Sequence, residues 1–187
     1  ERMDLKTPVA IFENGLLIAH NKTVRCEFAG YFRWLKLLRQ RDHIAVPKKD
    51  GTAFAQEILA IRDCPDIHWP EELRFEREVV EPEPVLKVSR AHRREEVMAA
   101  QARFRYGKVE YDAEDATGGY FPAETRKYLQ RSFAQEEDRL QQLRAVGVKR
   151  SAEYVATQGS PWEFPSTKLA HVLQRLSESG WHVNIDG

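Results

Sequence analysis

Two cysteines, Cys26 and Cys64, among 187 residues are too few for a disulfide framework, and a chain of this length needs none to build a core. They give the expectation of a reducing compartment. Long apolar runs are missing as well. The stretch Leu16-Leu17-Ile18-Ala19 is typical of the longest, far short of the ~20 residues that span a bilayer. No charged start followed by an apolar segment marks a signal peptide. The expectation is a cytoplasmic protein that makes no use of a membrane. Net charge is absent too, 29 Lys and Arg balancing 29 Asp and Glu. That balance argues against coating nucleic acid by bulk charge and leaves room only for a local basic face. What remains is the composition of a soluble globular domain, 42% apolar and 31% charged.

The motifs of several chemistries are also missing. A phosphate loop needs spaced glycines and a Lys-Ser/Thr pair. Here Gly107-Lys108 is the sole Gly-Lys pair, Val109 follows it, and Ala102 stands where the first glycine belongs. Glu136-Glu137-Asp138 falls inside a predicted helix rather than at a strand end, so it reads as a solvated helix face. Asp63, Cys64, Asp66 and His68 are close in sequence but have no second ligand pair, and read as a loop. Asp112, Glu114 and Asp115 precede Gly118-Gly119; strand-end carboxylates can hold a divalent ion, and a solvated turn is the alternative. His20, His43, His92, His171 and His182 are scattered singly. There is no His-Glu-x-x-His, Cys-x-x-Cys or Gly-x-Ser-x-Gly.

Periodicity supplies the elements. Val9–Phe12 and Leu16–Ile18 flank Asn14-Gly15 as a hairpin, and Thr23–Phe28 alternates as a third strand. Residues 30–41 place Tyr31, Trp34, Leu35 and Leu38 on one helical stripe, with Arg33, Lys36, Arg39 and Arg41 around it. Ile44–Val46 reads as a short strand, Lys48–Gly51 as a turn, and Thr52–Arg62 as a helix bearing Phe54, Ile58 and Ile61. The acidic, proline-punctuated stretch 78–84 reads as a connection, since two close prolines do not suit a central strand. Val85–Val88 is the strand after it, and 102–112 is a second hairpin turning at Gly107-Lys108. Phe104 and Tyr106 lie on one face of it, Arg103 and Arg105 on the other. A long helix is expected over 122–146, with Tyr128, Leu129, Phe133, Leu140 and Leu143 buried and Gly147 ending it. A last helix is expected over 165–179 and a closing strand over 181–186, with Trp181, Val183 and Ile185 inward. The sum is an α+β fold, a mixed or antiparallel sheet from hairpins with about four helices packed on it. Two units are expected, 1–82 and 83–187, with one continuous domain as the alternative.

The basic residues that attract attention are Arg93, Arg94, Arg103, Arg105 and Lys108. If Val85–Val88 pairs with the second hairpin, they can share a face and meet phosphates. The alternative is that they are balanced by neighbouring carboxylates.

Residues 98–187 carry a further pattern. It consists of the hairpin 102–112, Arg131 and Glu136 five apart on the expected helix, then Leu140, Leu143 and Gly147, the 164–180 helix, and Gly180-Trp181-His182-Val183. In this the chain resembles the accessory region that precedes the motor in bacterial Swi/Snf-type ATPases, a branch of the DEAD/DEAH helicase superfamily. The resemblance covers about half the chain. It implies a non-catalytic accessory domain cut from a longer ATPase; the start at Glu1 and the stop at Gly187 agree with that. It implies no cofactor or metal in this chain, ATP and magnesium in the RecA-like lobes absent from it, and interdomain docking by Arg131 and Glu136. The implied partners are the motor lobes of the same parent and duplex DNA. Two other readings stand beside it: a stand-alone protein-interaction domain without a nucleic-acid role, and a small enzyme using the Asp112–Asp115 carboxylates with a divalent ion.

Overall fold

The computed structural model describes residues 7–19, 22–28, 32–41, 45–62, 67–91, 94–122, 124–151 and 161–186. The fold is α+β, with four α-helices and three mixed or antiparallel sheets among the described residues.

The first sheet is the expected meander of β1 (Ala10–Phe12), β2 (Leu16–Ala19) and β3 (Lys22–Arg25), followed by α1 (Phe32–Gln40). Ala45 and Val46 are irregular rather than a strand, and Ile44 lies outside the described residues. Lys48–Asp50 is a 3-10 turn that runs directly into α2 (Gly51–Leu59). Ile61, expected on that helix, instead forms a bridge to Thr117 and is exposed.

β4 (Glu76–Glu78) lies parallel to a strand far along the chain, β9 (Lys127–Gln130), which also pairs antiparallel with β8 (Gly119–Tyr120). Residues on either side of position 82 therefore share a sheet. An aromatic chain reinforces the join: Phe54, Trp69, Phe75 and then both Phe121 and Tyr128 follow ring to ring at 5.4–6.5 Å. The Tyr128 hydroxyl donates to the Leu59 carbonyl at 2.9 Å. Such tilted and edge-on contacts match the aromatic quadrupole preference.

The main sheet contains β5 (Glu83–Arg90), β6 (Val97–Tyr106), β7 (Val109–Asp112), β10 (Lys149–Arg150), β11 (Trp162–Pro165) and β12 (His182–Ile185). The order is β10-β11-β6-β5-β12, with β7 beside the second half of β6. All neighbours are antiparallel except β12, which runs parallel to β5. Pro84, expected to keep its segment out of a central strand, is the second residue of β5. It is tolerated because β12 begins opposite Val85, so on that side nothing asks Pro84 for an N–H.

Alternation along β6 sorts the two faces. Met98, Ala100, Ala102, Phe104 and Tyr106 are buried against α3 (Phe133–Ala145) and α4 (Leu169–Glu178). With them pack Leu86, Val88, Leu140, Leu143, Trp162, Phe164, Val172 and Leu176. Trp181 is buried here as expected, and its indole N–H donates to Gln142 at 3.1 Å. Val183 is only partly buried, and Ile185, expected inward, is exposed on β12, which is the edge of the sheet.

The long helix expected over 122–146 is shorter. Residues 127–130 are strand β9, and the helix starts after Ser132. Tyr128 and Leu129 thus belong to the small sheet. Gly118 and Gly119 let the elements approach: a Cβ at Gly118 would lie 2.6 Å from the Ile61 carbonyl oxygen, and one at Gly119 would strike the Leu129 carbonyl oxygen and the Tyr128 ring. Gly119→Ala is expected to lower stability by about 1–3 kcal/mol, the usual cost of overpacking. Urea unfolding checks this, the variant midpoint falling below that of wild type.

Candidate functional site

Most strand and helix charges in this chain lie at the surface; Arg131 and Glu136 do not. Their side chains are 0% and 4% exposed. The guanidinium meets the carboxylate side-on, Nε to Oε1 at 2.9 Å and Nη2 to Oε2 at 2.8 Å. Nη1 donates to the carbonyls of Asp115 at 2.7 Å and Thr117 at 3.0 Å, and Nη2 to that of Asp112 at 3.5 Å. All five guanidinium donors are therefore used. Its flat faces are also covered, with Tyr111 and Phe133 ring centres 4.5 and 4.6 Å from Cζ.

Tyr106 closes the network. Its hydroxyl donates to Glu136 Oε1 at 2.7 Å and accepts from the Ser132 N–H at 2.9 Å. Burial, then the bond to Glu136, pushes the phenol far above its ordinary range. The expectation that Arg131 and Glu136 lie together on one helix is corrected. Arg131 follows β9 and precedes the helix, Glu136 sits in the first turn of α3, and both side chains are spent inside the fold. Buried charges demand this degree of satisfaction, because desolvation otherwise outweighs their attraction. The pair ties the β6–β7 hairpin, the 113–118 loop and the start of α3 to one another.

The hairpin arginines occupy the opposite, polar face of the main sheet. Arg103 bonds Glu110 at 2.7 Å, and Lys87 approaches the same carboxylate at 3.9 Å. Arg105 lies 3.6 Å from both Glu83 and Glu110. The bond from Arg103, first among several cations, holds the Glu110 carboxyl below the usual range. Val85 pairs with Arg103 as the shared-face expectation required, but carboxylates are interleaved with the cations. Arg94 reaches Glu163 at 2.7 Å at the other end of β6. Lys108 is exposed in the hairpin turn, about 30 Å away by the length of a ten-residue strand. Arg93 lies outside the described residues. The structure thus brings Arg103 and Arg105 together and separates Arg94 from Lys108.

The Asp112–Asp115 carboxylates serve the turn. Asp112 accepts from the Glu114 N–H and from Gln101, Asp115 from the Thr117 N–H, and Glu114 pairs with Arg150 at 2.7 Å. Burial opposes charge on Asp115, but the Thr117 bonds outweigh it and hold its carboxyl low. Among the described residues no group of His, Cys, Asp and Glu is placed to hold a metal ion. Asp63, Cys64 and Asp66 lie outside the described residues, and Cys26 is a free thiol. No described helix is long and apolar enough to cross a membrane. Sequence reasoning missed Tyr106 as a hydrogen-bonding member of the network and Tyr111 as a ring stacked on Arg131, because alternation marks both only as inward-facing.

No family model, curated protein or solved structure matches this chain.

Removing one partner of the buried pair is expected to cost about 3–5 kcal/mol, since the other charge is left uncompensated. Glu136→Gln and Arg131→Met should each show this in urea unfolding, with the double variant less destabilised than the sum of the two. The two tyrosines should part company. Tyr106→Phe orphans the Ser132 N–H and a carboxylate contact, costing about 1–3 kcal/mol. Tyr111→Phe removes a buried hydroxyl that has no hydrogen-bond partner and should be neutral or stabilising.

Both phenols are raised, Tyr111 by burial to about 12. Their contribution is intact below the unfolded value near 10 and is lost as pH rises toward the folded values. Wild-type stability should therefore fall above pH 10, and Tyr111→Phe should flatten that fall in an unfolding series from pH 8 to 11.

Proposed function

We propose that this chain is a non-catalytic accessory domain of a bacterial Swi/Snf-type DNA-translocating ATPase, docking on the motor lobes of its own parent protein. One observation carries the reading. The hairpin 102–112, Arg131, Glu136, the Leu140–Gly147 helix end and Trp181, which carry the resemblance, all belong to a single packed body around one core. A region built to be rigid suits a docking part better than a moving one. ATP and magnesium would bind in the parent's lobes, and this domain would act on hydrolysis only through unequal affinity for the arrangements those lobes adopt.

The pairing of Arg103 and Arg105 with Glu110 and Glu83 favours protein docking over DNA contact at the hairpin face. The same pairing supports a second reading, a stand-alone protein-interaction domain. Intact mass of the native gene product separates the two. A mass several times 21.7 kDa, with RecA-like lobes in the remainder, is the expected result; a product near 21.7 kDa overturns the accessory reading. In the parent, deleting residues 1–187 should change DNA-stimulated ATP turnover at least threefold. An unchanged rate would sink the docking mechanism.

A further inference from the structure

The main sheet ends on an open strand. On one side β12 pairs with β5, and among the described residues no strand lies on the other. Residues 181–186 also lack the devices that usually blunt such an edge, having no proline, no lysine and no break in register. The opposite edge, β10, is only Lys149 and Arg150, short and cationic.

Hydrogen bonding decides which backbone groups of β12 are free. The Asp186 N–H donates to the Val88 carbonyl at 2.9 Å, so His182, Asn184 and Asp186 aim their backbone groups at β5. These groups alternate along a strand, which leaves those of Val183 and Ile185 pointing outward. Side chains alternate as well. Val183 and Ile185 share the helix-bearing face with Trp181, and Ile185 is 52% exposed there. His182, Asn184 and Asp186 share the polar face and are exposed. Neither His182 nor Asp186 has an ion-pair partner among the described residues.

This edge is complementary to itself. A second copy laid antiparallel about a two-fold axis at Asn184 sets Val183 opposite the partner's Ile185, and Ile185 opposite the partner's Val183. Those are the residues with outward backbone groups, and each such pair closes two N–H···O=C bonds. The positions between and beside them bring side chains closest. There Asn184 meets the partner's Asn184, each amide donating to the other's oxygen. At both ends His182 meets the partner's Asp186, ring N–H against carboxylate. Moving the axis to Val183 or to Ile185 breaks both His–Asp matches.

We propose that β12 is a homodimer interface, through which two copies of this chain join edge to edge about Asn184 and make their main sheets continuous. A second copy fits better than a foreign strand because the match of charge with charge and apolar with apolar is palindromic in the chain's own sequence. Two-fold pairing uses both edges and closes, whereas pairing β12 with the two-residue β10 would run on into a fibre. Four residues from each copy make a small interface, which places it among weak, reversible associations. The inference is independent of the translocase reading.

The test is sedimentation equilibrium of the 187-residue chain. Its mass should rise from 21.7 kDa toward twice that within about 1–500 µM, the range of a weak interface. Ile185→Pro should stay monomeric throughout. The N–H it removes faces the open edge, so the β5–β12 bonds are kept; far-UV circular dichroism checks the fold. His182→Glu and Asp186→Lys change exposed side chains alone. Each spoils both charge matches and should weaken dimerisation about fivefold, while the double variant restores opposite charges and should return to within about twofold of wild type. F12E/V24E, on exposed apolar residues of the first sheet, should dimerise as wild type does. A chain monomeric to ~500 µM overturns the inference and leaves the edge to a strand of another protein. A dimer that survives Ile185→Pro overturns it too, as does one lost in F12E/V24E, which would assign self-association to the first sheet. No recovery in the double charge variant overturns the pairing about Asn184. None of these outcomes touches the intact-mass result, so the two proposals fall separately.

Discussion

The structural centre of the chain is a buried ion pair that could not exist without its surroundings. A guanidinium and a carboxylate taken out of water recover their hydration only if every donor and lone pair finds a substitute. Arg131 and Glu136 find theirs in each other, in a phenol, and in three backbone carbonyls that no regular ladder consumes. The 113–118 loop therefore has a fixed shape for an electrostatic reason. Its Asp115 and Thr117 carbonyls turn inward toward Arg131, the Asp112 and Asp115 carboxylates accept from the Glu114 and Thr117 N–H groups, and Gly118 and Gly119 admit it close to Ile61 and β9. The helix that follows begins where it does because Ser132 gives its N–H to Tyr106 while its carbonyl accepts from Glu136.

Around that centre the main sheet divides the chemistry of the molecule. One face is apolar and carries the helices. The other is a lattice of alternating charges, in which Glu110 alone meets Arg103, Arg105 and Lys87. Cross-strand pairs of opposite sign stabilise an exposed face modestly and keep it from associating with itself. They also quiet its field. A set of cations that looks prominent in the sequence becomes nearly neutral once the strands bring carboxylates alongside.

Much of this architecture was legible in the sequence, and the exceptions have physical causes. Alternation in 102–112 gave both the hairpin and its two faces, since an exposed and a buried side differ in a period of two. The meander 10–25 was legible from its turn and apolar strands, and helices α1, α2 and α4 from apolar stripes with a period of 3.6. β9 was not. Tyr128 and Leu129 can extend the apolar stripe of the helix that follows, and the strand partner, Glu76-Arg77-Glu78, has no apolar pattern of its own. Strand state there comes from pairing across the chain, which no local window contains. Arg131 and Glu136 held a clue that was available: residues five apart on a helix do not face one another, so a contact between them required one to lie outside it. The burial of both was invisible, because it depends on carbonyls fixed by a loop.

The parallel pair β5–β12 sets the order in which the molecule can assemble. Its register joins Val85 to His182, nearly the whole length of the main sheet's sequence. Hairpins β5–β6 and β6–β7 can close as soon as their own residues leave the ribosome, since their turns are short. The edge beside β5 stays open until the last strand is synthesised, and Leu86 and Val88 lack their final cover until Trp181 and Val183 arrive. Closing so large a loop is slow and entropically costly before any contact rewards it. During translation this half of the chain therefore exists as a sheet with a bare, apolar margin until β12 emerges and seals it.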